Sequence, residues 1–285
     1  MRTRQGTIVV GVDGSDASTR ALHWAARQAA AEHRPVTLVH TIAAATPAYI
    51  DAAVADAGDA GQDAHDAGHR VLEVARSDVQ RWSPGLDVAD VLELGDPADL
   101  LVQMSEGAAM VVVGSRGRGP VRSRLLGSVG VALVRHAGCP VVVVRPGHRG
   151  AVRNGVLVGH DALPESRPVL ELAYREASLH DLPLMVLHAG GQGESERLAL
   201  AEAVAGMTEK YPDVTVTTRV VDEAPEDVLV RLGARMDLLV VGSHQAGGFE
   251  RLRTASVSVD IVEHATCPVA VVPVRSRKRL RAVSE

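Results

Sequence analysis

The chain of 285 residues is predicted to be an α/β protein made of two tandem parallel-sheet domains. Three observations lead there. Short apolar runs alternate with Ala-rich stretches that lack Gly and Pro, the pattern of strands joined by helical crossovers. Aromatic residues make up only 2% of the chain against 46% hydrophobic residues overall, so the cores must be Val, Leu, Ile and Ala, as in buried parallel sheet under Ala-rich helices. Finally, the pattern starts again halfway along. Val156-Leu-Val-Gly-His-Asp161 repeats Ile8-Val-Val-Gly-Val-Asp13, and His188 falls 148 residues after His40. Beyond that the offset is 128, matching Pro225 to Pro97, Val241-Gly242-Ser243 to Val113-Gly114-Ser115, and Cys267-Pro268 to Cys139-Pro140.

In chain order, Ile8–Asp13 reads as a buried strand and Gly14–Ser18 as a turn, with Ser15 or Asp16 available as N-cap. Residues 17–32 form a helix and 35–41 a second strand. Residues 43–69 are rich in Ala, Asp and Gly; they read as a mobile loop from which a helix emerges over about 63–81. Residues 87–94 alternate as a third strand, and Asp96-Pro97 starts a helix that runs to Ser105. Met110–Val113 is a fourth strand, Ser128 the N-cap of the next helix, and Pro140–Arg145 a fifth strand. The domains are expected at 1–147 and 152–275, around a seam near Gly147–Gly150, with a basic tail over 276–285.

The stretch with chemical content is Val113–Val129. A strand ends at Gly114, a loop holds Gly117 with Arg116 and Arg118, and Gly127-Ser128-Val129 opens a helix. Glycines let a backbone approach a ligand, and a helix N-terminus carries about half a positive charge, so the spacing G-x2-G-x9-G-S suits an anion. It is not a Walker A loop: the only lysines are Lys210 and Lys278. Nor is it a dinucleotide fingerprint, which from Gly117 needs Gly where Arg122 stands. A solvated glycine loop is the plain alternative.

The first turn Val10-Gly11-Val12-Asp13-Gly14-Ser15, the loop Val113-Gly-Ser-Arg-Gly117, the glycine spacing and Cys139-Pro-Val-Val-Val-Val144 together resemble the universal stress protein family, in the two-domain form of actinobacteria. The resemblance covers nearly the whole chain. It implies two adenine nucleotide alpha hydrolase-like domains, each with strand order 3-2-1-4-5 and a ligand crevice at the carboxyl ends of strands 1 and 4. It further implies ATP, or a related adenine nucleotide, with Mg2+ as its companion ion. Asp13 would lie against the nucleoside and the Thr41 backbone along the adenine. Gly114, Gly117, Gly127, Ser128 and Val129 would cradle ribose and phosphates, with Arg116 and Arg118 as candidate phosphate charge, and Gly11, Val12, Ser15 and Val113 would belong to the same nucleotide site. In the second copy Gln245 and Ala255 replace the loop glycines and Ala162-Leu163 replaces Gly14-Ser15, so its site reads as degenerate, with Ser256 left as a cap.

The family implies a regulatory ATP-binding protein of the stress response. A slow ATPase or phosphotransferase, or a scaffold with purely structural nucleotide, are the alternatives; an ATP pyrophosphatase is not, since its S-G-G-x-D-S loop is missing. No catalytic residue is assigned and a dedicated enzyme is not expected. Expected partners are the two domains for each other, through their last strands, a second copy as a homodimer, and an unidentified protein. The net charge of −5 gives nucleic acid no general attraction. No apolar run reaches about 18 residues, so no membrane is expected. The start of the chain carries no signal-peptide core, and Cys139 and Cys267 read as core thiols in a reducing compartment, so the cytoplasm is expected. His65 and His69 share a helix face at a spacing able to hold a metal, although no third ligand is evident. His40 and His188 recur at the end of strand 2, which argues for a shared hydrogen-bonding role.

Overall fold

A computed structural model describes residues 5–42, 57–115, 126–146, 154–189, 193–244 and 251–274. By its contacts the chain divides into two units. The first comprises the described residues through Ser115 together with Gly127–Cys139, and the second Leu126 and the described residues from Pro140 onwards.

In the first unit, β1 (Ile8–Gly11), β2 (Val36–Ile42), β3 (Val88–Leu94) and β4 (Met110–Gly114) form a parallel sheet in the order β3-β2-β1-β4. β1 is central: Ile8, Val9 and Val10 are fully buried, as a strand covered on both faces requires. One face carries α1 (Asp16–Glu32) and α2 (Ala57–Trp82); the other carries α3 (Pro97–Ser105) and α4 (Ser128–His136). α1 buries Ala17, Ala21, Leu22, Ala25, Ala26 and Ala29. These small side chains let the helix sit close to the β-branched sheet.

In the second unit, β6 (Val156–Gly159), β7 (Leu184–Ala189), β8 (Val216–Val221), β9 (Leu238–His244) and β10 (Val269–Val274) are parallel. Their order, β10-β9-β6-β7-β8, is the expected 3-2-1-4-5 read from the other side. The helices are α5 (Arg167–Leu179), α6 (Glu194–Lys210), α7 (Pro225–Gly233) and α8 (Arg251–His264), with a 3-10 turn at Pro164–Ser166. The strand β5 (Val141–Val144) groups with this unit. It pairs antiparallel with β10, Val143 opposite Val269 and Val141 opposite Val271. All four β5 residues are buried, so the pairing hides an apolar edge that would otherwise template aggregation.

Three helix starts differ from expectation. α2 begins at Ala57, six residues before the expected Asp63, because the alanines at 57, 60 and 64 favour helix and offset Gly61 without any apolar stripe to mark the start. α4 has Gly127, not Ser128, as N-cap; Ser128 is the first helical residue. α8 begins at Arg251, so Ser256 lies inside the helix and not at its start. Residues 43–56 of the expected 43–69 loop region, the seam and the tail lie outside the described residues, as do Arg116, Gly117, Arg118, Arg122, Arg124 and Gln245.

Candidate functional site

The crevice at the carboxyl ends of β1 and β4 begins with the turn Val12–Ser15. Ser15 N–H donates to Asp13 Oδ1 at 2.9 Å, closing an Asx turn, and Gly14 takes φ +75°. That left-handed value is where glycine is at no disadvantage. Ser15 then caps α1, its hydroxyl oxygen accepting from Ser18 N–H at 3.2 Å, while Ser18 Oγ donates back to the Ser15 carbonyl at 3.0 Å. Asp13 therefore has a structural task that its sequence context did not reveal: one carboxylate oxygen builds the turn that starts α1.

The end of β2 fixes the same turn from the side. Val12 N–H donates to the Val39 carbonyl at 2.9 Å, and His40 Nδ1 lies 2.7 Å from the Val12 carbonyl. A carbonyl can only accept, so Nδ1 carries the proton. The second copy repeats this with His188 Nδ1 at 2.9 Å from the His160 carbonyl. The recurring histidines thus hold the end of strand 1. Thr41 follows at the end of β2, half-buried, and lines a hollow of about 610 Å³ with Thr37, Val91, Leu100 and Met104. A second hollow, about 390 Å³, lies between α1 and α2 and is lined by Val12, Gly14, Leu22, Arg70 and Val71.

On the β4 side, Val113 is buried and Gly114 meets α1 directly. A Cβ at Gly114 would stand 2.6 Å from the Ala17 carbonyl carbon, so this glycine serves helix packing. Gly11 is similar in kind: its Cβ would stand 3.1 Å from Leu101 of α3. Gly127 is different. It has φ −65° and ψ 159°, which any residue adopts, and no described atom lies within 4 Å of a Cβ built on it. Its N–H donates to the Ser115 carbonyl at 3.3 Å, joining the α4 N-terminus to the end of β4. Since a glycine cap offers no side chain, the N–H groups of Ser128, Val129 and Gly130 have no acceptor within the helix. The helix dipole adds positive potential there.

The structure therefore brings Gly11, Val12, Asp13, Ser15, Thr41, Val113, Gly114, Gly127, Ser128 and Val129 to the carboxyl ends of β1, β2 and β4; Arg116 and Gly117 lie outside the described residues. In the second copy, Leu163 N–H still donates to Asp161 Oδ1 at 3.0 Å, but Ala162 holds the left-handed turn at φ +62°. Ser258 Oγ donates to the Gly242 carbonyl at 2.8 Å. With α8 starting at Arg251, the N–H groups of Ala255, Ser256 and Val257 are spent on carbonyls four residues back. A helix N-terminus at that place, as in α4, is missing.

Burial pushes the Cys139 thiol from 9.0 up to about 12. Both cysteines are free and buried. His65 and His69 stand ring to ring at 4.5 Å on exposed α2, and among the described residues no group of three or more His, Cys, Asp or Glu is placed to hold a metal. No helix among the described residues is long and apolar enough to cross a membrane.

Comparison with known proteins gives the lineage. The universal stress protein family model matches residues 6–145 and again 153–273. Universal stress protein Rv2005c of Mycobacterium tuberculosis is 36% identical over 295 residues, covering 94% of this chain and 97% of that protein. A universal stress protein of Mycolicibacterium smegmatis is 36% identical over 93% of this chain and 96% of its own length. The crystal structure of a universal stress protein from Archaeoglobus fulgidus has the same fold, with a TM-score of 0.74 at 19% identity, covering 95% of this chain and 99% of that one. Two tandem matches and full-length relatives agree with the duplicated sheet: the chain belongs to the universal stress protein family.

Proposed function

We propose that the chain is a cytoplasmic regulatory protein of the stress response that binds ATP in its first unit. The observation that carries this reading is the α4 N-terminus: a glycine cap with no described neighbour in front of it, three backbone donors free of helical acceptors, and a hydrogen bond to the end of β4. Such an end suits phosphate. In this reading Asp13 of the turn lies against the nucleoside, the Thr41 backbone lines the adenine, and the loop arginines Arg116 and Arg118 supply phosphate charge.

The donor set fits a nucleotide and does little to favour its hydrolysis. Magnesium is commonly held through phosphates with few protein ligands, so a nucleotide-borne ion needs no dedicated cage here. Asp13, the nearest acidic candidate, already accepts the Ser15 amide. Backbone donors fixed on ground-state phosphate lower its free energy without preferring the transition state. The bound nucleotide then acts by holding the crevice in one shape for a protein partner, and the second unit serves as a structural companion with a degenerate crevice.

The test is direct. Protein purified without added nucleotide is denatured and its supernatant chromatographed for adenine nucleotides, and stripped protein is titrated with ATP by calorimetry. One nucleotide per chain is expected in the titration. No bound nucleotide and no heat of ATP binding would end this reading.

A further inference from the structure

We propose that the hollow between the edge strand β3 and helix α3 binds a small organic cation with an apolar body, of the amidinium or guanidinium kind. The hollow lies wholly within the first unit, and the proposal does not rest on the nucleotide reading above. The space follows from how this face of the sheet is covered. α3 packs over β1, β2 and β4, which leaves a ledge beside it on β3. The parallel register sets Thr37 opposite Ala89, Val39 opposite Val91 and Thr41 opposite Glu93. Paired residues share a face and successive ones alternate, so Thr37, Thr41, Val91 and Glu93 lie on one side. Leu100 and Met104 of α3 close that side, and the space between is about 610 Å³. Small-molecule sites commonly enclose about 300–1,000 Å³.

The lining selects a charge. Its floor is apolar: Val91 and Met104 are buried, and the Thr37 hydroxyl is already engaged with Thr7 Oγ1 at 3.0 Å. Leu94, another lining residue, is 74% exposed and offers further apolar surface. Four acids line the same space, and no basic residue does among the described residues. Two of the acids are answered. Asp90 pairs with Arg76 at 2.7 Å, and Asp96 caps α3 by accepting from the Ala98 and Asp99 amides. The carboxylates of Glu93 and Asp99 make no hydrogen bond or ion pair. Asp99 stands in the first turn of α3, where the helix dipole favours the ionised form.

The second copy puts its own cations at the corresponding positions. At the offset of 128, Arg219 stands for Val91 and Arg231 for Gln103. The strand register agrees, since Arg219 lies opposite Leu187 as Val91 lies opposite Val39. Arg231 donates to Glu223, the residue in the place of Gly95, at 2.5 Å. Asp227 keeps the place of Asp99. The same frame of edge strand and helix thus joins acid to guanidinium in one copy and presents acid without a cation in the other. A cation from solution would supply to the first copy what Arg231 supplies to the second. A planar cation suits this best, because amidinium and guanidinium groups meet a carboxylate through two parallel N–H donors and are weakly hydrated.

The full chain is titrated by NMR with benzamidine, benzamide and benzoate, which share a shape and differ in charge. Concentrations run to about 10 mM, since so small a fragment binds weakly. Benzamidine is expected to shift the amides of Glu93, Gly95 and Asp99 and to bind at least about fivefold more tightly than benzamide, while benzoate does not bind. Glu93→Gln is expected to weaken benzamidine about threefold. Gln103→Arg places the second copy's cation at an exposed helix position and is expected to weaken it about tenfold. No benzamidine binding, binding equal to that of benzamide, or shifts confined to other residues overturns the proposal. A folded Gln103→Arg protein that binds like wild type overturns it as well, and so does unchanged affinity in Glu93→Gln. Shifts that added ATP abolishes would make the hollow part of the nucleotide crevice and overturn it as a separate site. A wild type that takes up no ATP fails the nucleotide reading alone, and the benzamidine titration still decides this one.

Discussion

Two glycines of one motif, Gly114 and Gly127, are expected to answer alanine substitution in opposite ways. At Gly114 the new Cβ would stand 2.6, 2.7 and 2.9 Å from the carbonyl carbon, carbonyl oxygen and Cβ of Ala17. Ordinary contact begins near 3.4 Å, so the start of α1 must retreat by about 0.8 Å. Ala17 is buried and lies in the first turn of a helix whose cap is tied to Asp13, so little can give cheaply. Overpacking of this kind costs about 1–3 kcal/mol. A value near 2 kcal/mol corresponds to a melting temperature lower by about 4–8 °C. At Gly127 the backbone is already in an alanine-compatible region and the space in front of it holds no described atom. The gain from a stiffer unfolded chain and the loss of a preferred cap residue are each about 0.5 kcal/mol and oppose one another, so melting should stay within about 2 °C. The ligand should notice instead, with ATP affinity reduced about tenfold or more if a phosphate occupies that space. Differential scanning fluorimetry and calorimetric titration on both variants read the two effects separately. A Gly114→Ala protein that melts like wild type would refute the packing argument. A Gly127→Ala protein that keeps full affinity would remove the α4 cap from the site.

Four further outcomes are expected. Ala162→Gly relieves a left-handed alanine at φ +62°, and chemical denaturation should show the second unit more stable by about 0.5 kcal/mol, the strain released less the entropy glycine adds; a loss of stability would mean the turn does not need that conformation. Native Cys139 should resist a thiol reagent at pH 8, since burial lifts its thiol to about 12, and the stability this confers is complete below about 9 and lost as pH rises towards about 12; rapid labelling before unfolding would contradict its placement. Cysteines at Val142 and Ala270, opposite one another on β5 and β10, should crosslink within one chain, and solely interchain products would contradict the pairing. ATP hydrolysis should be slower than about one turnover per several minutes in a single-turnover assay with magnesium, against about 1–100 per second for dedicated kinases, and a rate near one per second lost in Gly127→Ala would make the protein an enzyme.

The periodicity of the chain carried the fold because both of its signals are local. β-branched runs bounded by glycine, and Ala-rich stretches without breakers, place Ile8–Gly11 and Asp16–Glu32 within a residue or two of where the physics of burial puts them. The duplication was legible from exact matches such as Cys139-Pro140 and Cys267-Pro268. Helix starts were less legible, since a polar first turn has no stripe to mark it: α2 begins six residues early and α8 five residues ahead of Ser256. The site was readable as a motif but not as a division of labour. Gly114 and Gly127 look alike in sequence, yet one is demanded by the backbone of Ala17 and the other only by what fills the space before α4. Asp13 looks like a ligand-facing acid, and its bond to the Ser15 amide is invisible without the turn.

The widest gap between sequence and structure concerns the second copy. Reading it alone, the loss of glycines at 245 and 255 says only that a site has decayed. The helix start at Arg251 gives that decay a physical form, because it spends the backbone donors that α4 keeps available. The second unit has a structural task whether or not it binds anything, because its β10 pairs with β5 and both strands are buried there.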